Sequence, residues 1–112
     1  MQNPKYQIFK GKGGKHYFRL KARNGQTILS SEAYQSKDAA QNGVQSVKLN
    51  GIWDSQFQRQ ESKDGQHYFV LRAGNNEIIG RSERYKSKSG LENGIKSVMS
   101  VAGIAPVEDL TT

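Results

Sequence analysis

The chain has 112 residues, of which 34% are hydrophobic and 24% charged, a composition that fits a folded domain rather than a disordered chain. It contains no cysteine, which excludes disulfides and thiolate chemistry, and no apolar run approaches the roughly 20 residues of a membrane-spanning helix. Residues 1–55 hold nine basic and three acidic residues and so carry most of the net charge of +7. That charge favours contact with nucleic acid or anionic surfaces, and it also favours simple solubility.

The sequence repeats itself after 51 positions. From the pair Tyr6/Phe57 to the pair Trp53/Ile104, 19 of 48 aligned residues are identical. A unit of about 50 residues buries too little surface for a core of its own. We therefore expect one domain over residues 1–112, in which repeat 1 (about 5–53) and repeat 2 (about 56–110) share a core with pseudo-twofold symmetry.

The first half of each repeat predicts three strands. Residues 6–10 and 57–61 are short strand candidates, and each is followed by a polar turn that contains glycine. Residues 15–22 alternate in polarity, so that one face carries His16, Phe18, Leu20 and Ala22 and the other carries Tyr17, Arg19 and Lys21; residues 66–73 repeat the pattern. The pairs Asn24-Gly25 and Asn75-Asn76 predict tight hairpin turns, which lead into third strands at 26–31 and 77–82.

A helix is predicted after the three strands of each repeat. Its apolar stripe recurs at i, i+4 and i+7, through Ala40, Val44 and Val47 in one copy and Leu91, Ile95 and Val98 in the other. Two starts are open in each copy: capping boxes at Asp38/Gln41 and Ser89/Glu92, or N-caps at Ser36 and Ser87. Gly43 and Gly94 lie inside the helical pattern, which indicates that the helix backbone approaches the sheet or the other helix closely.

These elements predict an α+β fold built by tandem duplication of a β-β-β-α unit. We expect one antiparallel sheet with both helices packed on one face. The tail at residues 105–110 lies beyond the second helix and predicts an additional strand at the sheet edge, where Pro106 is tolerated.

The motifs resemble the YegP-like family of small bacterial proteins. The similarity rests on residues 14–22, the Asn24-Gly25 turn, and the segments 31–37 and 42–47, and it returns in the second copy at 65–73, 82–88 and 93–98. It implies a single sheet in which C-terminal strands are exchanged between the halves. Members with one repeat would reach this architecture as dimers, whereas a tandem chain would be a monomer with an internal pseudo-dimer. The family's function is unknown, so the resemblance implies no catalytic residue and no cofactor.

Basic and aromatic residues alternate on the outward face of the second strand, a pattern typical of surfaces that neutralise and stack single-stranded nucleic acid. Neither the spacing of a phosphate-binding loop nor the signature of an RNA-recognition motif is present. A hairpin loop and a solvated sheet face are the plainer interpretations of the same residues. The candidate nucleic-acid contacts are Lys10, Lys12, Lys15, Tyr17, Arg19, Lys21, Arg23 and Arg72.

Other chemistry has weaker support in the sequence. The histidines His16 and His67 have no cluster of cysteine or carboxylate around them, so no metal site is predicted. A symmetric enzyme site at Ser31, Glu32 and Tyr34, repeated at 82–85, would need a pocket. The alternatives for Glu32 are an ion pair with Lys37 or hydrogen bonds from backbone N–H groups where the strand turns into the helix. We expect no enzyme, no cofactor and no membrane contact, and a cytoplasmic location. A protein-contact module would instead show an exposed apolar patch on a helix face or sheet edge.

Overall fold

The computed structural model describes residues 3–111, and each half of the chain supplies three strands followed by a helix. Short 3₁₀ turns occur at Lys12–Gly14 and Asp54–Gln56. The strands and helices in chain order are β1 (Lys5–Lys10), β2 (His16–Lys21), β3 (Thr27–Ser30), α1 (Lys37–Asn50), β4 (Phe57–Glu61), β5 (His67–Arg72), β6 (Ile78–Arg81), α2 (Lys88–Val101) and β7 (Val107–Asp109).

All seven strands form one sheet in the order β4-β5-β6-β3-β2-β1-β7. The halves are joined at its centre, where β3 and β6 pair antiparallel with Ser30 opposite Arg81. The predicted α+β architecture is therefore confirmed, with one difference from the expected antiparallel sheet. Strand β7 pairs with β1 in parallel, so the sheet is mixed, because the chain returns from α2 in the direction in which β1 runs.

The core lies between one face of the sheet and the two helices. Alternation in β1 and β2 turns Tyr6, Ile8, Phe18 and Leu20 inward, and all four are fully buried. The predicted apolar stripes of both helices belong to the same buried cluster, together with strand residues of both halves. The two halves therefore share one core, as their small size requires. Whether they arose by tandem duplication, and how nearly they obey twofold symmetry, stay predictions.

The helices begin at the serine caps and not at the capping boxes. Ser36 and Ser87 have extended backbones, and their Oγ atoms accept hydrogen bonds from the N–H of Ala39 (3.1 Å) and Gly90 (3.0 Å). Each helix then starts at the following lysine, so Asp38 and Ser89 lie inside the first turn, where they cannot act as the half-extended cap.

The glycines inside the helices face tyrosines, rather than the sister helix. A Cβ at Gly43 would lie against the Tyr34 hydroxyl and 2.8 Å from Phe18 Cε2, and one at Gly94 would lie 2.7 Å from Tyr85 Cζ. Each tyrosine is positioned by a β-bridge between the strand-to-helix loop and the start of a strand, His16 with Tyr34 and His67 with Tyr85. The expected contact with the sheet therefore holds at Phe18, and the other helix takes no part.

Strand β7 brings two carboxylates to the basic first half of the chain. Asp109 accepts a 2.8 Å hydrogen bond from Lys37 Nζ, and Glu108 lies 3.4 Å from Lys5 Nζ. Backbone bonds run from Tyr6 N–H to the Pro106 carbonyl and from Leu110 N–H to the Ile8 carbonyl. The end of the second half is thereby fixed to the first strand of the first half, in agreement with the exchanged strand that the resemblance implies.

We expect the acid stability of the protein to depend on Asp109. Hydrogen bonds from Lys37 and Thr111 hold the pKa of its carboxyl well below the ordinary value. A carboxyl whose pKa is lower in the folded state stabilises the fold above its unfolded pKa of about 4, and this stabilisation is lost as the pH falls below that value. Asp109→Asn should lower the thermal midpoint at pH 7 and flatten its decline between pH 5 and 2, as followed by circular dichroism.

Glu83→Gln is the control for that prediction, because Glu83 is exposed and makes no ion pair with any residue from 3 to 111. The control should keep the wild-type dependence on pH. An Asp109→Asn variant whose melting curve follows that of the wild type at every pH would contradict the role assigned to this carboxylate.

Candidate functional site

The helices leave one face of the sheet uncovered, and we call it the open face. Strand register places Gln7 opposite Arg19 and Phe9 opposite Tyr17. Because side chains alternate along a strand, these four point away from the helices while their neighbours enter the core. Tyr17 and Arg19 therefore lie on the face that the sequence predicts for them.

Three of these side chains form a stack on the open face. The rings of Phe9 and Tyr17 are nearly parallel, 17° apart, with centroids separated by 5.7 Å. The Arg19 guanidinium lies over the Phe9 ring, 4.6 Å from its centroid. Gly11 rests on the Tyr17 ring, where a Cβ would come within 2.9 Å of Cδ2. Both rings are partly exposed, and aromatic rings are the side chains on which unpaired bases stack.

Arg19 is held in place by neighbouring polar groups. Its Nε donates to Gln7 Oε1 at 2.8 Å, and Gln7 Nε2 donates to Glu108 Oε1 at 2.6 Å. The bond from Gln7 and the charge of Lys5 lower the pKa of the Glu108 carboxyl. The guanidinium has lost freedom to reorient, so it serves a ligand as a fixed group rather than a mobile one.

The turn between β1 and β2 forms a basic hairpin, which we define as residues 10–15. Its three lysines, Lys10, Lys12 and Lys15, make no ion pair within residues 3–111. The tip is a tight turn in which Gly13 and Gly14 have φ of 71° and 74°, conformations that favour glycine. The hairpin therefore carries three lysines without ion-pair partners in the described residues, in the turn that joins Phe9 to Tyr17, although Lys10 itself shares the helix-facing side of β1 with Tyr6 and Ile8.

The other candidate contacts lie elsewhere. Lys21 is on the open face near Glu108, and Arg23 follows β2 at the end of the strand away from the basic hairpin. Arg72 lies on β5, three strand spacings or about 14 Å from β2, and is bonded to Gln58 and to the Asn76 carbonyl. The structure thus places Lys10, Lys12 and Lys15 in the turn between the strands that carry Tyr17 and Arg19, and leaves Arg23 and Arg72 apart from them.

The equivalent turn of the second half is not basic. It carries Glu61, Lys63 and Asp64, and Asp64 lies 3.9 Å from Arg84. Strand β5 runs opposite to β2 through the antiparallel pairings of the sheet, so the two turns occupy opposite ends of the molecule. Positive charge is therefore concentrated at one end, next to the aromatic stack.

The serine, glutamate and tyrosine of the enzyme hypothesis have other partners. Ser31 Oγ accepts from the Phe18 N–H at 2.9 Å and donates to the Glu32 carbonyl at 2.8 Å, and Ser82 does the same with Phe69 and Glu83. Glu32 pairs with Arg81 at 2.8 Å and not with Lys37. Burial, followed by the charges of Glu32 and Glu77, raises the pKa of the Tyr34 hydroxyl. These contacts join strands and loops, and among residues 3–111 neither serine hydroxyl is hydrogen-bonded to a histidine or carboxylate side chain.

Metal and membrane chemistry find no counterpart in the part of the chain that the structure describes. Nowhere between residues 3 and 111 do three or more histidine or carboxylate side chains gather as metal ligands would. His67 Nε2 lies 3.9 Å from Glu61, and His16 Nδ1 is buried without a hydrogen-bond partner among these residues. No helix in this range is long and apolar enough to cross a membrane.

An apolar surface that was not predicted from the sequence lies where the two helices end. A Cβ at Gly51, after α1, would lie 2.9 Å from Ala102 Cβ, and one at Gly103 would lie 3.7 Å from Ile52 Cγ2. Around this junction Trp53 is 61% exposed and Ile104 66% exposed, with Leu49 and Ile52 nearby in the chain. The signal in the sequence was Trp53 itself, a large apolar residue in a polar connection between repeats.

Comparison with known proteins places these features in a family. The family model described as "Domain of unknown function (DUF1508)" matches the chain twice, at residues 12–54 and 62–109. A UPF0339 protein of Mannheimia succiniciproducens is 45% identical over 106 residues, which cover 95% of this chain and 94% of the relative. The UPF0339 protein YegP of Yersinia pestis is also 45% identical, with 95% of each chain covered.

Two solution NMR structures have the same fold. A UPF0339 protein of Shewanella oneidensis superposes with a TM-score of 0.91 at 39% identity, covering 96% of this chain and 92% of the other. The E. coli protein yegP, described as a protein of unknown function, superposes with a TM-score of 0.92 at 35% identity, covering 99% and 96%. These relatives support the resemblance seen in the motifs and bring no described role with them.

Proposed function

The chain belongs to DUF1508, a family of domains of unknown function, and from this premise we propose that it is a non-catalytic binding module whose basic end contacts single-stranded nucleic acid. The observation that carries the proposal is the position of Lys10, Lys12 and Lys15, which lack ion-pair partners within residues 3–111 and lie in the turn between the two strands that carry the stack of Tyr17, Phe9 and Arg19. We take the module to act in the cytoplasm as a monomer, one domain of two repeats.

The basic hairpin and the stack would bind different parts of the nucleic acid. The lysines would neutralise phosphates and release counterions, which makes affinity fall steeply with salt. The exposed part of the Tyr17 ring would take a base by stacking, a contact that accepts any base because every base has a flat face. The fixed Arg19 guanidinium would add positive charge along the same path. No sequence preference follows from this arrangement.

Charge reversal of the basic hairpin tests the proposal. The triple variant Lys10→Glu, Lys12→Glu, Lys15→Glu should weaken binding of a fluorescently labelled single-stranded oligonucleotide by at least about tenfold, since each phosphate contact contributes about 0.7 to the slope of log affinity against log salt. Fluorescence anisotropy at several salt concentrations would measure both quantities, and the slope should become shallower by about 2.

The matched control reverses three lysines elsewhere, Lys63, Lys86 and Lys96, and so changes net charge by the same amount. All three are exposed and make no ion pair with the described residues. The control should retain most of the binding. Equal loss in both variants would mean that net charge and not the basic hairpin attracts the oligonucleotide, and an absence of binding by the wild type at low salt would end the proposal.

The alternative is a protein-contact module without a nucleic-acid role. It is favoured by the exposed side chains of Leu49, Ile52, Trp53 and Ile104 where the two helices end, since such grouping is typical of interaction surfaces. If the wild-type protein does not bind oligonucleotides at low salt, protein contact would be the better supported function.

A further inference from the structure

Strands β1 and β4 are equivalent in the two repeats, but within residues 3–111 only β1 has another strand on its outer side. Strand β1 is covered by β7, which pairs in parallel with Val107 opposite Tyr6 and Asp109 opposite Ile8. Strand β4 is its counterpart 51 residues later, and it forms the other edge of the sheet with no strand of residues 3–111 beside it. The stretch that corresponds to β7 in the first half continues through the 3₁₀ turn at Asp54–Gln56 into β4, and therefore cannot cover that edge.

The free edge of β4 offers the groups that β1 uses to bind β7. On β1 the Tyr6 N–H donates to the Pro106 carbonyl and the Ile8 carbonyl accepts from the Leu110 N–H, at the two ends of β7, and their counterparts belong to Phe57 and Arg59. The Phe57 N–H is taken by the Asp54 carbonyl in the 3₁₀ turn. The Phe57 carbonyl and both backbone groups of Arg59 face the edge, because alternate residues of a strand present their backbone groups to the same side.

A cleft of about 480 Å³ lies beside this edge, between β4, the start of β5 and the start of α2. Lys88, the counterpart of Lys37, lines it, and Leu91 and His67 form part of its wall. Lys37 holds the Asp109 carboxylate at 2.8 Å, whereas Lys88 has no ion-pair partner in the described part of the chain. Lys88 thus repeats in the second half the lysine that binds the β7 carboxylate in the first half, but no carboxylate among the described residues pairs with it.

The two edges differ at one pair of residues, and this difference determines which side chains a bound strand would need. Where the first half has Ile8 and Gln41 near Val107, the second has Arg59 and Glu92, joined by hydrogen bonds of 2.7 and 2.9 Å. An incoming strand would meet this polar pair in place of an apolar contact. Arg59 also donates to Asp54 at 2.8 Å and is therefore already paired with two carboxylates. The affinity of the strand would depend more on a carboxylate facing Lys88 than on an apolar residue two positions earlier.

We propose that the β4 edge binds an extended segment of a partner protein, which adds as a strand parallel to β4 and places an acidic side chain on Lys88. Strand addition of this kind draws affinity from backbone hydrogen bonds and specificity from alternate side chains. The chain's own β7 is the template, since the same type of edge, with the same lysine, already holds the acidic segment Val107–Asp109. The site lies at the opposite edge of the sheet from β1 and is independent of the nucleic-acid contact.

The first experiment uses a synthetic peptide of residues 105–111 with blocked ends, titrated into the ¹⁵N-labelled full chain. We expect amide shifts at residues 57–61 and at the start of α2. A peptide with asparagine in place of Asp109 should bind at least about fivefold more weakly, because a charge-assisted hydrogen bond is lost. Shifts at residues 5–10 instead would show that the peptide displaces β7, and an absence of shifts at millimolar peptide would show that the edge does not bind; either overturns the proposal.

Two matched pairs distinguish strand addition from general attraction. Leu110 N–H donates to β1, so alternation turns the Glu108 N–H to the same side and the Val107 N–H away. N-methylation of the peptide at Glu108 should abolish binding, while N-methylation at Val107 should preserve it. In the protein, Lys88→Gln should remove the preference for the aspartate peptide over the asparagine peptide, while Lys86→Gln keeps it.

Equal effects within either matched pair would contradict the proposed geometry. Shifts of residues 57–61 that appear with rising protein concentration, without peptide, would show that a second copy occupies the edge and that no partner segment is needed. That outcome would also overturn the proposal. Binding of oligonucleotides has no bearing on any of these results.

Discussion

Tyr6→Ala should lower the free energy of unfolding by about 3–5 kcal/mol, a large share of the total for a domain of this size. The ring is fully buried and packs edge-on against Phe18 with centroids 6.3 Å apart, and Lys48 Nζ lies 5.2 Å from its centroid. Its hydroxyl donates to the Ala102 carbonyl at 2.6 Å, which joins the first strand to the end of the last helix. Urea denaturation followed by Trp53 fluorescence would measure the loss.

The hydroxyl can be separated from the ring by Tyr6→Phe. Removing only the donor leaves the Ala102 carbonyl without its bond and should cost about 1–3 kcal/mol. Burial also raises the pKa of the Tyr6 hydroxyl, so the folded state keeps its proton while the unfolded state loses it above pH 10. Stability should fall as the pH rises through that value, and Tyr6→Phe should make the fall shallower.

The matched position in the second half is Phe57, which is 5% exposed and packs edge-on against Phe69 at 5.4 Å. Phe57→Ala should be comparably destabilising, and it should leave the alkaline dependence as in the wild type. A Tyr6→Phe variant as stable as the wild type at both pH 7 and pH 11 would show that the bond to Ala102 contributes nothing.

Local periodicity carried most of the prediction of the fold. The alternation of residues 15–22 fixed which side of β2 enters the core, and the stripe through Ala40, Val44 and Val47 fixed the buried side of α1. These features are legible because a strand repeats every two residues and a helix every 3.6, whatever the rest of the chain does. Repetition of the pattern at an offset of 51 then argued for a shared core.

Local patterns of this kind do not predict contacts between segments that are distant in the chain. The parallel direction of β7 depends on how the chain leaves α2, and the pairing of Glu32 with Arg81 crosses 49 positions. At the candidate site the sequence predicted the lysines and the face of Tyr17 and Arg19. It did not show that Gln7 and Glu108 restrain Arg19, because that arrangement joins residues about 100 positions apart. The uncovered edge of β4 was hidden for the same reason.

A second large effect on stability is expected at the centre of the sheet, where the two repeats have different residues at equivalent positions. Leu29 and Gly80 occupy equivalent positions, and both are buried where β3 meets β6. A Cβ at Gly80 would lie 2.8 Å from Leu29 Cγ, so the leucine of one half fills the space that a side chain in the other half would need. Restoring the repeat with Gly80→Leu should therefore overpack the core and cost about 3 kcal/mol or more.

The reverse change, Leu29→Gly, should cost about 4 kcal/mol or more, because it leaves a cavity beside Leu20 and adds the flexibility of glycine. If the halves are equivalent about the centre of the sheet, the double variant Leu29→Gly, Gly80→Leu returns one leucine to the shared space from the opposite strand. It should then be more stable than either single variant, with a coupling free energy of about 3 kcal/mol in a double-mutant cycle.

Guanidinium denaturation of the four proteins would measure this coupling. Gly90→Ala is the control for adding a methyl group to a glycine, since the nearest atoms to its Cβ lie 3.4 Å away and the first repeat already has Ala39 there. That variant should be neutral or stabilise α2 by up to about 1 kcal/mol. Additive losses in the double variant would mean that β3 and β6 cannot exchange their contributions to the core, and would count against pseudo-twofold symmetry at the centre of the sheet, where the equivalent strands of the two halves pair.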